Sequence, residues 1–357
     1  MTALAQGATV GILGAGQLGC MMALAASPMG YRTHIYAPEP GPAGLVAAAQ
    51  TLGAWDDEAA LRAFAASVDV VTLEFENVPV RTLEVLRDAG VEVRPGARVL
   101  ATCQDRIAEK SFLRDLGVPT APFEAVYNAQ GLGEAAQRLG RCIVKTARSG
   151  YDGRGQAKLE TPADAPAAWA SIGRPPAAIV EGFVPFSAEC SVLVARSVSG
   201  ETRCFEVVHN VHRDHILHTT TAPMTDPAVD TDAAEAIAVQ IAEALGLVGL
   251  LAVELFRVDG PRDLRVNELA PRPHNSGHWT IEGAATSQFA QAIRAVVGLP
   301  LGDPRRIVRR AEMTNLLGDA IDVAPEAWRD PDTYVHRYDK GTARPGRKMG
   351  HITRVWR

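Results

Sequence analysis

Glu254 and Glu268 are the residues least at home in their surroundings. In "LLAVELFRV" the neighbours of Glu254 are apolar on both faces of a strand: Leu251, Val253 and Leu255 on one side, Ala252, Phe256 and Val258 on the other. A carboxylate embedded there needs a partner. Glu268, beside Asn267 in "RVNELAP", occupies the next strand, and a hairpin through "DGPR" would bring the two acids together. Side-by-side carboxylates repel unless a cation separates them, and hard oxygen donors near a phosphate suit Mg²⁺. Neutralisation by arginines such as Arg257 or Arg272 is the other way to satisfy them.

Phosphate chemistry is suggested by two glycine-rich segments. In "GYDGRGQ", Gly150, Gly153 and Gly155 alternate with Tyr151, Asp152 and Arg154 before Gln156. Such a loop can offer successive N–H groups to a polyphosphate, helped by Arg154 and by Lys145 on the preceding strand "CIVKTA"; it can also be a hairpin turn with solvated charges. In "GAGQLG", Gly14, Gly16 and Gly19 follow a strand and open a helix. A nicotinamide dinucleotide would want an acid ending the second strand, but "HIYAPEP" supplies Ala37 and Pro38 before Glu39. A tight turn and a seat for another phosphate both stay open. "PRPHNSGHWT" gathers Arg272, His274, Asn275, Ser276 and His278, a polar loop able to bind a small anion and stabilise charge. The run "HRYDKGTARPGRKMGHI" carries Lys340, Arg344, Arg347 and Lys348, either a phosphate-monoester clamp or a solvated surface. The sequence holds no G-x-S-x-G, G-x-x-x-x-G-K-[ST] or H-E-x-x-H motif, so serine hydrolase, P-loop and zincin readings lack support.

The elements that must position these residues fall into three parts. Short apolar strands alternate with helices such as "DDEAALRAFAAS" up to about residue 100, which predicts a parallel α/β unit. The middle, with closely spaced strands around the long amphipathic "TDAAEAIAVQIAEALGLVG", predicts a largely antiparallel α+β region. A helix, "SQFAQAIRAVVG", precedes the tail. At 357 residues the chain is long enough for two or three packed units. Its 47% hydrophobic and 22% charged residues are ordinary for a folded protein. A net charge of -5 gives no footprint for nucleic acid. Five scattered cysteines read as reduced thiols, and no run is long enough to span a membrane, so the expected location is the cytoplasm.

Taken in order, "GILGAGQLG", "TLEFENVP", "QDRIAEKSFL", "VKTARSGYDGRGQ", "VEGFVPFSAECSV", "NVHRDHIL", "VNELAPRPHNSGHWTIEG" and the basic tail resemble the N5-carboxyaminoimidazole ribonucleotide synthetases, ATP-grasp enzymes of bacterial and fungal purine synthesis. The resemblance covers nearly the whole chain. It implies an ATP-grasp fold: a Rossmann-like pre-ATP-grasp domain over 1–100, an ATP-grasp region over 101–298 with a lid at about 120–185, and a small C-terminal domain over 299–357. The implied reaction joins ATP, bicarbonate and 5-aminoimidazole ribonucleotide through carboxyphosphate, with Mg²⁺, in a homodimer; neither a nucleic acid nor a membrane is involved. Arg106 and Lys145 would bind ATP phosphates under the 150–156 loop. Glu181, Gly182, Phe183 and Val184 would read the adenine, Glu189 the ribose, and His212 would line the nucleotide site. Glu254 and Glu268 would hold the metal, with Asn267 beside them. Arg272, His274 and Asn275 would orient bicarbonate. Gln17, Leu18, Glu74, Asn77, Tyr151, Asp152, Ser276, Lys340 and Arg347 would complete the ribonucleotide site, its phosphate lying between the "GAGQLG" turn and the tail. Arg154 and Arg106 stand where lysine is the commoner residue in the family and the superfamily respectively.

Overall fold

The computed structural model describes residues 3–150, 153–258 and 263–357. Tyr151, Asp152 and the "DGPR" turn lie outside these.

Three sheets organise the chain. The first is five-stranded and parallel, in the order Ala49–Leu52, Arg32–Ala37, Thr9–Leu13, Val70–Leu73, Glu92–Val93. Its central strands are continuous apolar runs because helices cover both faces: all four residues of Val70–Leu73 are buried. Its helices begin where the sequence supplies acceptors or glycine. Asp57, for example, accepts the Ala60 N–H at 3.0 Å ahead of the helix Glu58–Ala65.

The second sheet is four-stranded and antiparallel, ordered Phe123–Val126, Ala178–Gly182, Cys142–Thr146, Gln156–Leu159. With the helices Ala129–Leu139 and Ala165–Ser171 it closes a small core of its own around Leu132, Val144, Trp169 and Val180.

The third sheet has nine antiparallel strands. Leu264–Ala270 lies at one end, followed by Gly249–Val258, Phe186–Arg196, Val208–Arg213 and Ile216–Ala222. The ladder then runs on without interruption into Arg310–Leu317, Lys348–Trp356 and Thr333–Arg337, so the last strands of the chain extend the sheet that carries Glu254 and Glu268. Thr202–Cys204 pairs with the far part of Phe186–Arg196. The helix Gln288–Val297 packs against this sheet and also against the helix Gln17–Ala26, and one core joins Leu18 and Met22 to Leu193, Trp279, Phe289 and Ile293. That shared core sets the glycine turn of the first unit against the third sheet. The fold is α/β in its first part and α+β beyond, as the sequence predicts.

Candidate active site

The paired acids are brought together by strand register. Glu254 and Glu268 are directly opposite in the ladder between Gly249–Val258 and Leu264–Ala270, which shifts register immediately afterwards. Burial, and then the charge of Glu268, push the Glu254 carboxyl up to about 7. The arginines that could have neutralised them are engaged elsewhere: Arg257 donates to Ser187 Oγ at 2.7 Å, and Arg272 donates to the Glu76 carboxylate. Among the described residues no third His, Cys, Asp or Glu completes a metal cage. Two carboxylates with their remaining positions left to water and phosphate are what Mg²⁺ prefers. The donor set therefore fits that ion.

His274 Nε2 lies 3.3 Å from Glu254 Oε1. Burial and the nearby Arg272 hold this imidazole well below the usual histidine range, so it is neutral. Its Nδ1 meets Ser276 Oγ at 2.9 Å, and its backbone N–H donates to Gln288 Oε1. Ser276 is fully buried, taking a hydrogen bond from Ser191, and does not line the cavity described below. Ser276, expected at the ribonucleotide site, lies behind the loop rather than at the cavity wall. Asn275 and Asn315 exchange amide hydrogen bonds.

In front of this loop is a cavity of about 610 Å³. Its walls bring together Gln17, Leu18, Glu74 and Asn77 from the first unit, Arg272, His274 and Asn275 from the polar loop, Arg154 from the glycine loop, and Lys340, Arg344, Arg347 and Lys348 from the tail. The basic tail thus faces a cavity. Sequence reading missed Phe75, Glu76 and Ile216 on the same wall. Glu76 fixes Arg272; burial alone would raise its pKa, but the charge and hydrogen bond of Arg272 bring it below the ordinary carboxylate value. Its signal in the sequence was only a second acid two residues after Glu74 in "EFENVP", a segment that bends and turns after the strand Val70–Leu73.

The glycine turn of the first unit is occupied by a carboxylate of the same chain. Glu74 accepts the Gly16 N–H at 2.8 Å and the Gly19 N–H at 3.0 Å. A Cβ on Gly14 would sit 2.4 Å from Glu74 Cγ, and Gly14 has φ +111°. The glycines admit the chain's own carboxylate, and of the turn's described residues Gln17 and Leu18 line the cavity. Desolvation raises the Glu74 pKa despite these bonds.

The remaining residues form a second group. Arg106 donates from Nη2 to Gly150 O at 2.5 Å and from Nη1 to Thr146 O at 3.1 Å, bracing the root of the glycine loop. Gly153 and Gly155 have φ +77° and +69°, and a Cβ on Gly153 would approach His215 to 2.8 Å, so the loop folds against the turn between Val208–Arg213 and Ile216–Ala222. Gln156 pairs with Lys145 across the second sheet. Lys145 Nζ lies 2.5 Å from Glu181 Oε2, and Lys110 Nζ lies 3.2 Å from Glu181 Oε1. Burial would raise the Glu181 carboxyl, but these two ammonium groups bring it down to about 2. Gly182 donates to Pro122 O, the guanidinium of Arg141 sits 3.9 Å over the ring of Phe183, and Val184 O accepts from Phe186. Glu189 Oε2 and His212 Nδ1 are 2.5 Å apart; burial works against the imidazolium, but the Glu189 carboxylate raises the His212 pKa overall. Asn267 presents its carbonyl to Lys110 at 2.7 Å. Lys110 was also missed, although it lies one helical turn after Arg106.

Comparison with known proteins places this geometry. Residues 111–289 match the ATP-grasp domain, residues 7–104 the ribonucleotide synthetase preATP-grasp domain, and residues 311–356 the phosphoribosylaminoimidazole carboxylase C-terminal domain. The chain is 45% identical over 359 residues to an N5-carboxyaminoimidazole ribonucleotide synthase of Brucella melitensis, covering 99% of this chain and 98% of that one. It is also 45% identical over 371 residues to the bifunctional purine synthesis protein purC/E of Dictyostelium discoideum; 98% of this chain is covered, and it spans 37% of that protein's length. A crystal structure of an N5-carboxyaminoimidazole ribonucleotide synthetase bound to ADP superposes with a TM-score of 0.94 at 40% identity, covering 99% of this chain and 94% of that one. The Aspergillus clavatus synthase in complex with ADP and 5-aminoimidazole ribonucleotide gives 0.90 at 29% identity, covering 98% and 94%.

Proposed function

The chain belongs to the N5-carboxyaminoimidazole ribonucleotide synthase family of ATP-grasp ligases, and from that premise we propose that it carboxylates 5-aminoimidazole ribonucleotide at the expense of ATP, with bicarbonate as the carbon source. The observation that carries this reading is the cavity: one half-open space lined by a neutral histidine, a half-buried arginine and a wall of cations, with that histidine 3.3 Å from Glu254 of the carboxylate pair.

Bicarbonate is a poor electrophile. Transfer of the γ-phosphoryl group of ATP to one of its oxygens gives carboxyphosphate and ADP, and turns that oxygen into part of a leaving group. The ribonucleotide amine then forms its N–C bond as phosphate departs, losing one proton. Arg272, held by Glu76, would orient the bicarbonate, and neutral His274 and Asn275 would donate or accept beside it without adding charge. Glu254 and Glu268 would hold Mg²⁺, which supplies charge neutralisation on the polyphosphate. Lys145, Arg106 and the loop 150–156 would hold the phosphates and exclude water. Glu181 with the 182–184 segment would receive the adenine, and Glu189 the ribose, with His212 orienting it. Asn77, Gln17, Leu18, Lys340 and Arg347 would hold the ribonucleotide, its phosphate lying toward the tail because Gly16 and Gly19 are already committed to Glu74. Tyr151 and Asp152 belong to this proposal from the sequence alone.

The lid would be the unit of the second sheet within a division at 1–100, 101–298 and 299–357. Homodimerisation is part of the reading, supported by the exposed Leu24 and Leu45 on neighbouring elements of the first unit. A cytoplasmic location is also part of it, and no helix among the described residues is long and apolar enough to cross a membrane.

The test is ADP release from Mg·ATP and bicarbonate with and without 5-aminoimidazole ribonucleotide. Stimulation by the ribonucleotide that disappears when bicarbonate is removed is the expected result. A folded, nucleotide-binding protein with no stimulation would require a different acceptor.

A further inference from the structure

Lys110 is 2% exposed and sits on the helix Arg106–Asp115, facing inward. Its Nζ reaches four oxygen acceptors: Asn267 O at 2.7 Å, Thr120 Oγ1 at 2.9 Å, Val266 O at 3.0 Å and Glu181 Oε1 at 3.2 Å. An ammonium has three protons, so the group is saturated and fixed. Its neighbour Glu109 accepts the Leu269 N–H at 3.0 Å. The helix therefore grips the strand carrying Glu268 at residues 266, 267 and 269.

Lys145 contrasts with it. Its side chain is 19% exposed, and among the described residues its ion-pair partner is the other oxygen of Glu181. A carboxylate as buried as Glu181 cannot lose all positive partners without a penalty of several kcal/mol. With two ammonium groups, one saturated and one partly open, only the open one is able to leave.

Resting on the nucleotide-site reading above, we propose that Lys110 is the resident counter-ion of Glu181, a positioning residue that keeps this carboxylate charged and in place while Lys145 exchanges it for a nucleotide phosphate. Lys110 also ties Glu181, at the base end of the site, to the strand of the metal-binding carboxylates. Without Lys110, Lys145 becomes the sole cation of a buried acid and is trapped there.

The test is Mg·ADP affinity by calorimetry for wild type, Lys110→Met, Lys145→Met and the double variant. Each single change should weaken binding about tenfold, the weight of one charge-assisted contact. The double variant should be no more than about twofold weaker than Lys110→Met, because a trapped Lys145 contributes nothing to the phosphate. Losses that multiply, to about a hundredfold, would overturn the proposal; a purely structural role for Lys110 lowers the melting temperature and leaves the two losses multiplicative. Should Lys110→Met fail to fold, Lys110→Met/Glu181→Gln removes both charges together. It should fold, with Lys145 released, so that adding Lys145→Met again costs about tenfold. A double variant that stays unfolded, or a third change that costs nothing, also overturns it. Wild-type protein that does not bind Mg·ADP would instead overturn the nucleotide-site reading.

Discussion

The turn at Gly14–Gly19 and the loop at Gly150–Gln156 both follow a strand, both are rich in glycine and both end near the same cavity, yet they are closed by different groups. Glu74 fills the first, taking the Gly16 and Gly19 N–H groups. The second is propped at its root by Arg106 and rests on the turn at His215, with Arg154 at the cavity wall. A glycine run makes close approach to the backbone possible. What approaches is decided by the residues opposite: a carboxylate in one case, a guanidinium and a histidine in the other.

The sharpest way to break this contrast is to alter an acid on each side of it. Glu268→Gln should reduce Mg·ATP turnover by at least about a hundredfold while leaving the fold intact, because a charged ligand to the metal is lost; near wild-type ADP release would remove the metal pair from the mechanism. Gly153→Val should weaken Mg·ADP binding by about tenfold or more, since a branched side chain at φ +77° would strain the loop and strike His215; unchanged affinity in a titration would mean that the loop does not close over the nucleotide. Lys340→Ala should raise the ribonucleotide KM about tenfold with little effect on the ATP KM, and equal effects on both would dissolve the separation between the two ends of the site. Glu74→Ala should cost about 1–3 kcal/mol in chemical denaturation by stranding two amides, without altering Mg·ADP affinity. A lowered ribonucleotide KM in that variant would reveal an anion seat that Glu74 masks.

The smallest effect concerns pH. A carboxyl raised by folding to about 7 stabilises the protein below its unfolded pKa and loses that contribution as pH climbs through 7. Metal-free protein should therefore lose stability from pH 6 to pH 8 at Glu254, and Mg²⁺ should raise the melting temperature by about 2–4 °C more at pH 8 than at pH 6. Equal shifts at the two values would show that the carboxylate pair does not bind the ion.

Much of the site could be read without coordinates. Glu254 stood out because a strand apolar on both faces has no reason to carry a charge, and Glu268 followed from a hairpin whose turn residues are visible in the sequence. The glycine loop, the "PRPHNSGHWT" segment and the basic tail were each recognisable from residue type and spacing. The α/β and α+β character followed from strand and helix periodicity, which is a local property.

Partner choice was not local, and there the sequence stopped. Nothing in "GAGQLG" says that Glu74, more than fifty residues later, takes its amides; the parallel pairing of Thr9–Leu13 with Val70–Leu73 does that. Nothing in "QDRIAEKS" says that Lys110 will be buried beneath Glu181 and the Val266 carbonyl. The basic tail could equally have been solvated until the pairing of Ile216–Ala222 with Arg310–Leu317 carried it to the cavity. The sequence by itself determined which residues could do chemistry and the elements that bear them. The tertiary structure decided which charges face one another, because a buried charge must be matched across whichever surfaces packing brings into contact.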